Sequence, residues 1–283
     1  TKMVSVFREV RRILRDDGVL FLNVGDSYAM STKGADGVGK QHSNAGSVMQ
    51  DRSWRIPPGI KPKDLIGIPW LLAFALRADG WYLRQDIIWA KPNPMPESVT
   101  DRCTKAHEYL FLLTKNARYW YDAEAVKEKS IDPEGSAKRY ESPFWENGKH
   151  QTGGYSATGA KHTAGIKQFD GQRNRRSVWS ISTQPFPGSH FAVMPQKLVE
   201  PCILAGCPVG GTVLDPFNGA ATVGIVALEH GRQYLGIELN PEYVGLSVGR
   251  LTDATRQGQL FSLPPIPRPA PIAQQTPLFE ADA

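Results

Sequence analysis

Val213-Leu-Asp-Pro-Phe-Asn-Gly-Ala-Ala-Thr222, followed by Gly236-Ile-Glu-Leu-Asn-Pro241, is the stretch whose reading decides the fold. A short apolar strand over Thr212–Leu214 stops at Asp215, a loop of small residues follows, and Thr222–Glu229 reads as a helix. The next strand, Tyr234–Glu238, ends in an acid, and Pro241 opens a further helix over Pro241–Leu251. Strand, glycine loop, helix, strand is half of a doubly wound α/β fold. Glycine at position 219 lets backbone approach a ligand, and the helix that begins at Thr222 offers free N–H groups. An acid at the end of the second strand, Glu238, is placed to hold two ribose hydroxyls. Phe217 can pack on a flat ring. A nucleoside-like ligand is expected.

A dinucleotide fits poorly. The loop lacks G-x-G-x-x-G, and Asp215 would repel a pyrophosphate. An acid at that position suits a cationic ligand carrying an amino-acid ammonium, which describes S-adenosylmethionine. The alternative for the loop by itself is a glycine turn in an ordinary α/β protein.

Outward from this core the chain alternates in the same way. Val4–Leu14 has apolar residues at helical spacing, and Val19–Val24 is an apolar run of strand length. Gly25–Lys63 is long, polar and glycine-rich. Asp64–Ala78 reads as a helix closed by Gly80, and Trp81–Trp89 and Tyr109–Leu113 as strands. Between those strands, Lys91–His107 is broken by Pro92, Pro94 and Pro96. Gln196–Ala205 is a helix opened by Pro195. From Gly258 the chain is Pro-rich and is expected to be a disordered tail over 258–283.

Composition limits the function classes. The chain has 283 residues, of which 41% are hydrophobic and 22% charged, enough to bury a core. Its apolar stretches are too short to span a bilayer, and three cysteines make no disulfide framework. Cytoplasmic localisation follows as the expectation. Cys103 with His107, and Cys202 with Cys207, could hold zinc only by converging, and no metal is expected. The net charge of +5 is uneven: Ser136–Val178 holds eight Lys and Arg against three acids, while the rest balances at 25 of each. Lys161, Lys167, Arg173, Arg175 and Arg176 lie in that segment with Tyr140, Phe144, Trp145 and Tyr155. Basic residues interleaved with aromatics suit a nucleic-acid backbone and exposed bases; the alternative is a solvated surface loop.

Asp215-Pro-Phe-Asn-Gly-Ala-Ala-Thr222 resembles the D-P-F-x-G-x-G-T cofactor loop of the DNA amino-methyltransferases, which modify N4 of cytosine or N6 of adenine. The resemblance runs along nearly the whole chain to Arg250. His190-Phe-Ala-Val-Met-Pro195 and Leu198-Val-Glu-Pro-Cys202 are similar to the segment that closes over the methionine end of the cofactor. Trp89-Ala-Lys-Pro-Asn-Pro94 and Arg102-Cys-Thr-Lys-Ala-His-Glu-Tyr109 resemble the strands beside the catalytic pocket, and Asn23-Val-Gly-Asp-Ser-Tyr28 the strand bordering the target base. Catalytic part first and cofactor loop last is the order of the permuted β group. The resemblance therefore implies an S-adenosylmethionine-dependent methyltransferase fold: a mostly parallel sheet with helices on both faces, plus an inserted basic target-recognition segment. It implies a catalytic-side half over 1–122, the insertion over 123–180 and a cofactor half over 181–257. Asp215, Phe217, Gly219, Thr222, Glu238, His190, Phe191 and Ala192 would hold the cofactor, and the five basic residues would hold duplex DNA. A bacterial or phage source is implied as well.

Two departures from the family stand out. Its second loop glycine is Ala221 here, and its Asp/Asn/Ser-Pro-Pro-aromatic tetrapeptide is absent: Pro57-Pro58 follows Ile56, and Pro264-Pro265 follows Leu263. In the family the tetrapeptide precedes the helix that opens this sequence. The chain is therefore expected to lack its natural N-terminus and to transfer no methyl group alone. Asp26, just after a strand, could contact the flipped base or only cap its loop. The rival functions are a non-catalytic DNA-binding module on the same fold and an RNA or protein methyltransferase. Gln257-Gly-Gln-Leu-Phe261 and Gln275-Thr-Pro-Leu-Phe279 both read Q-x-x-L-F. They resemble the peptide by which bacterial DNA-processing proteins dock on the replication sliding clamp.

Overall fold

The computed structural model describes residues 2–29, 59–140, 170–184 and 193–259. The chain divides into two compact units, Thr1–Pro185 with Lys197–Pro208, and Phe186–Gln196 with Val209–Ala283.

The first unit opens with α1 (Lys2–Ile13), whose Phe7 and Val10 are buried. Strand β1 (Val19–Val24) follows. After it come α2 (Ile68–Ala78), β2 (Tyr82–Ala90) and β3 (His107–Thr114). Strand β3 runs antiparallel to β1, from Val19 opposite Thr114 to Val24 opposite Tyr109, and antiparallel to β2, ending at Ala90 opposite His107. Strands β1 and β2 therefore point the same way. Five consecutive residues of β3, Leu110–Thr114, are buried, as befits a strand covered on both faces.

The segment 123–180 contributes β4 (Glu128–Lys129), α3 (Pro133–Tyr140), β5 (Gln172–Arg173) and β6 (Val178–Ser180). Strand β4 pairs antiparallel with β5. Strand β6 pairs parallel with β2, giving a sheet in the order β1-β3-β2-β6 in which only β3 is reversed. Helix α4 (Gln196–Gly206) ends against β1, where a Cβ on Gly206 would lie 2.6 Å from Val19. The glycine is required by that close approach.

Helix α2 begins four residues later than the apolar spacing suggests. Leu65 pairs with Tyr28 in an isolated bridge, Ala29 N–H donates to Asp64 O at 2.8 Å, and Lys63 and Gly67 hold φ of 73° and 77°. The extended bridge takes Leu65 out of the helical pattern, and the left-handed turn at Gly67 with Pro69 in the first turn sets the new start.

The second unit holds β7 (Thr212–Asp215), α5 (Thr222–Glu229), β8 (Gln233–Gly236) and α6 (Pro241–Gln259). Strands β7 and β8 are parallel, with Asp215 opposite Gly236. Strand β8 stops two residues short of Glu238, which lies in the turn beyond. Helix α6 continues well past Leu251. Among the described residues no helix is long and apolar enough to cross a membrane.

Candidate active site

In the second unit the loops after β7 and β8 leave from the same strand end, the carboxyl end at which α/β folds bind ligands. The Asp215 carboxylate accepts a hydrogen bond from Phe217 N–H at 2.9 Å, and Asp215 O accepts from Ile237 N–H at 2.9 Å. Asn218 N–H donates to Ile237 O at 3.0 Å, closing the two loops on each other. Glu238 clasps the glycine loop. Its Oε2 accepts from Gly219 N–H at 2.8 Å and its Oε1 from Asn240 N–H at 2.9 Å. The acid assigned to a ribose is thus also the residue that sets the loop.

Burial raises the Asp215 carboxyl above its ordinary range; the Phe217 amide opposes this, and the nearby Glu238 charge adds to it. Two acids close together and partly withdrawn from water favour a cation over a phosphate. Around them Phe217, Ile237 and Leu239 are exposed, Leu239 at 95%, and offer apolar surface to a flat ring. The donor set fits S-adenosylmethionine: an acid for an ammonium, an acid for hydroxyls, and apolar faces for a base. Thr222 is buried at the first turn of α5.

Sequence reasoning missed the lock beneath the loop. Buried Asn218 accepts from the Tyr234 hydroxyl at 2.5 Å and donates to Gly219 O at 3.2 Å. A Cβ on Gly236 would stand 2.5 Å from Asn218 Oδ1, so this glycine makes room for the lock. Arg250 on α6 donates to Ala220 O. Ala221 occupies a left-handed conformation, φ 57° and ψ 33°, at the cap of α5. A non-glycine residue there costs about 1–2 kcal/mol, which gives the departure from the family's glycine a local energetic meaning. His190, Phe191 and Ala192 lie outside the described residues.

In the first unit the carboxyl ends of β1 and β2 carry a second constellation. Asp26 Oδ1 accepts from Ser27 N–H at 2.9 Å and from Gly67 and Ile68 N–H, both at 3.0 Å. Of the two roles left open for Asp26, the geometry displays the anchoring one: it ties the end of β1 to the start of α2. Lys91 and Glu108 form a partly buried ion pair, and the Lys91 ammonium lies 4.3 Å from the Trp89 ring centroid. Glu108 stands beside Gly25, 3.8 Å from where its Cβ would be. Trp89 donates its indole N–H to Ile181 O at 2.7 Å. Lys91 and Glu108 carry no role in the sequence reading, although both lie in the segments that resemble the pocket strands.

The basic residues divide. Lys161 and Lys167 lie outside the described residues. Arg173, Arg175 and Arg176 converge on one cavity of about 660 Å³, lined also by Gln85, Glu128, Ser177 and Val178. Arg173 is held by Glu128 at 2.8 Å. The Arg175 guanidinium covers the Trp179 ring at 4.5 Å, and its buried Nε has no partner among the described residues. Arg176 is exposed, and among the described residues no acid or ring holds its guanidinium. The three arginines therefore sit in unequal surroundings.

Among the described residues no group of three or more His, Cys, Asp or Glu is placed to hold a metal. Cys103 is exposed, and burial pushes the Cys202 thiol up to about 12.

Residues 1–248 match the family described as DNA methylase. The chain is 47% identical over 251 residues to the type II methyltransferase M.Cfr9I of Citrobacter freundii, covering 88% of this chain and 70% of that one. It is also 47% identical over 249 residues to the type II methyltransferase M.SmaI of Serratia marcescens, covering 88% and 72%. Among solved structures, the cytosine-N4-specific PvuII DNA methyltransferase aligns with a TM-score of 0.54 at 18% identity, covering 90% of this chain and 74% of that one. A putative DNA modification methylase of Thermus thermophilus, bound to S-adenosyl-L-methionine, aligns with a TM-score of 0.51 at 21% identity, covering 89% and 76%. These two likenesses carry the fold.

Proposed function

The chain belongs to the DNA methylase family and transfers a methyl group from S-adenosylmethionine to an exocyclic amine of DNA; we propose which of its residues do so. Asp215 takes the ammonium end of the cofactor, and Glu238 takes the ribose hydroxyls. Gly219 and Thr222 shape the loop, Phe217 packs on the base, and His190, Phe191 and Ala192 close the methionine end. Bound there, the cofactor supplies an activated sulfonium methyl. The observation that carries the reading is the Glu238 carboxylate bound to the Gly219 amide, because it joins the loop after β7 to the turn after β8.

The acceptor is N4 of cytosine or N6 of adenine in duplex DNA. That amine is hidden in the base stack, so the base must be flipped out. Orientation of amine and methyl then supplies much of the rate, and no covalent intermediate is needed. Asp26 serves as a positioning residue at the end of β1. The segment 123–180 reads the target, with Arg176 as the principal phosphate contact and Lys161 and Lys167 as further contacts. The rival of a non-catalytic module is not favoured, since the curated relatives are named methyltransferases.

Calorimetric titration with S-adenosylmethionine tests the site. Glu238→Ala removes a charge-assisted acceptor, so affinity should fall by about 1.5–3 kcal/mol. Undiminished binding would defeat the assignment. The enzyme acts in the cytoplasm of a bacterial or phage-infected cell. There Gln257–Phe261 or Gln275–Phe279 docks on the sliding clamp, a reading supported by the two Q-x-x-L-F repeats alone. Failure of the wild type to retain purified clamp in a pull-down would end it.

A further inference from the structure

We propose that Met95 is the apolar wedge that enters the DNA duplex when the target base leaves it. The inference rests on the base-flipping methyltransferase reading above. Met95 is 86% exposed, and the fold gains almost nothing from its side chain. It lies on the loop from Lys91 to Ala106, which leaves the sheet where Ala90 faces His107. That is the carboxyl end of β2, and the end of β1 that carries Asp26 points the same way.

The loop is rigid for its length. Pro94 fixes the chain entering Met95, and Pro96 restricts Met95 itself to extended conformations. Lys91 N–H donates to Ala106 O at 2.8 Å across the neck. Asn93 Oδ1 accepts from Thr183 N–H at 2.9 Å, and Asn93 Nδ2 donates to Thr183 O at 3.2 Å. Beyond Met95, Glu97 is held by Arg102 at 2.6 Å and accepts from Lys105 N–H at 3.3 Å. Arg102 stacks on Tyr28 at 3.9 Å, and Lys63 bonds Asp101 at 2.6 Å. A backbone fixed on both sides of an exposed apolar side chain leaves only that side chain's rotamers to be ordered on insertion. Methionine is among the side chains that unstack base steps in this way. Leu71 is also an exposed apolar residue, but it lies on the face of helix α2, where no such brace projects it.

Mapping modified bases in phage lambda DNA treated with the full natural-length protein gives its site, and every variant is made in that protein. Two synthetic duplexes then carry that site, one with the target base paired and one with it opposite an abasic residue. Met95→Gly should slow single-turnover methylation of the paired duplex by about tenfold or more, and of the abasic-opposed duplex by less than about twofold, because a base without a partner leaves the stack readily. Met95→Leu should behave as wild type on both. Thermal stability and S-adenosylmethionine affinity should be unchanged in each variant. Equal slowing of the two duplexes, or no slowing of either, overturns the wedge. A full natural-length wild type that methylates neither duplex while still binding cofactor overturns the base-flipping reading, and the wedge with it.

Discussion

Asp215→Asn separates the two effects of one carboxylate. In the free protein Asp215 is partly buried, and its carboxyl is raised first by that burial and further by Glu238. Ionised Asp215 therefore works against folding at neutral pH, and this penalty shrinks as pH falls through its raised folded value and is gone below the ordinary, unfolded one. Asparagine keeps an oxygen for the Phe217 N–H bond, now 2.9 Å, and removes only the charge. Thermal stability at pH 7 should rise. Cofactor affinity should fall, because a charge-assisted bond to the ammonium is worth about 1.5–3 kcal/mol, or roughly 10- to 150-fold in Kd. The pH profiles should differ too. Binding of a cation is favoured by ionised Asp215, so wild-type affinity should decline as pH drops through the raised value, while the asparagine variant lacks that part of the decline. Calorimetry and thermal melts from about pH 4 to about pH 8 cover the carboxylate range. Lower stability together with undiminished affinity would refute the reasoning, for it would make Asp215 a loop residue alone.

Other variants probe the remaining joints. Gly236→Ala puts a methyl against Asn218 Oδ1 and the Tyr234 hydroxyl, so urea unfolding should show a loss of about 1–3 kcal/mol, with weaker cofactor binding. Arg176→Ala should flatten the salt dependence of DNA binding by roughly one unit, while Arg173→Ala, already paired with Glu128, should leave the slope unchanged. Asp26→Ala should lower stability by about 1–2 kcal/mol through loss of its amide bonds at the start of α2. Asp26→Asn, which keeps an acceptor, should restore most of that stability and retain methylation; loss of methylation without loss of stability would return Asp26 to the base.

Much of this was legible because the informative residues act locally. A strand ending in an acid, a glycine turn and a helix start within ten residues require no knowledge of distant partners, and Thr222–Glu229 and Val19–Val24 appear as read. Legibility failed where a residue's partner lies far along the chain. Leu65 fits a helical stripe with Ile68 and Leu76, yet an extended bridge to Tyr28 claims it. Arg173 counts as a free cation in any charge run until Glu128, 45 positions earlier, is seen to hold it. Asn218 looks like a turn former, and nothing nearby announces that Tyr234 will bond it or that Gly236 must be bare to allow this. The same logic applies to Glu238, whose hold on the glycine loop is not legible in the sequence. Its position after a strand marks it as a ligand acid, but only the folded loop brings Gly219 N–H to its carboxylate. In the proposed assignment one carboxylate both shapes the loop and holds the ribose, which would couple cofactor affinity and loop geometry at that residue. Affinity lost in Glu238→Gln, which keeps one acceptor oxygen, should therefore be smaller than in Glu238→Ala, and calorimetric equality of the two would show that the charge alone matters.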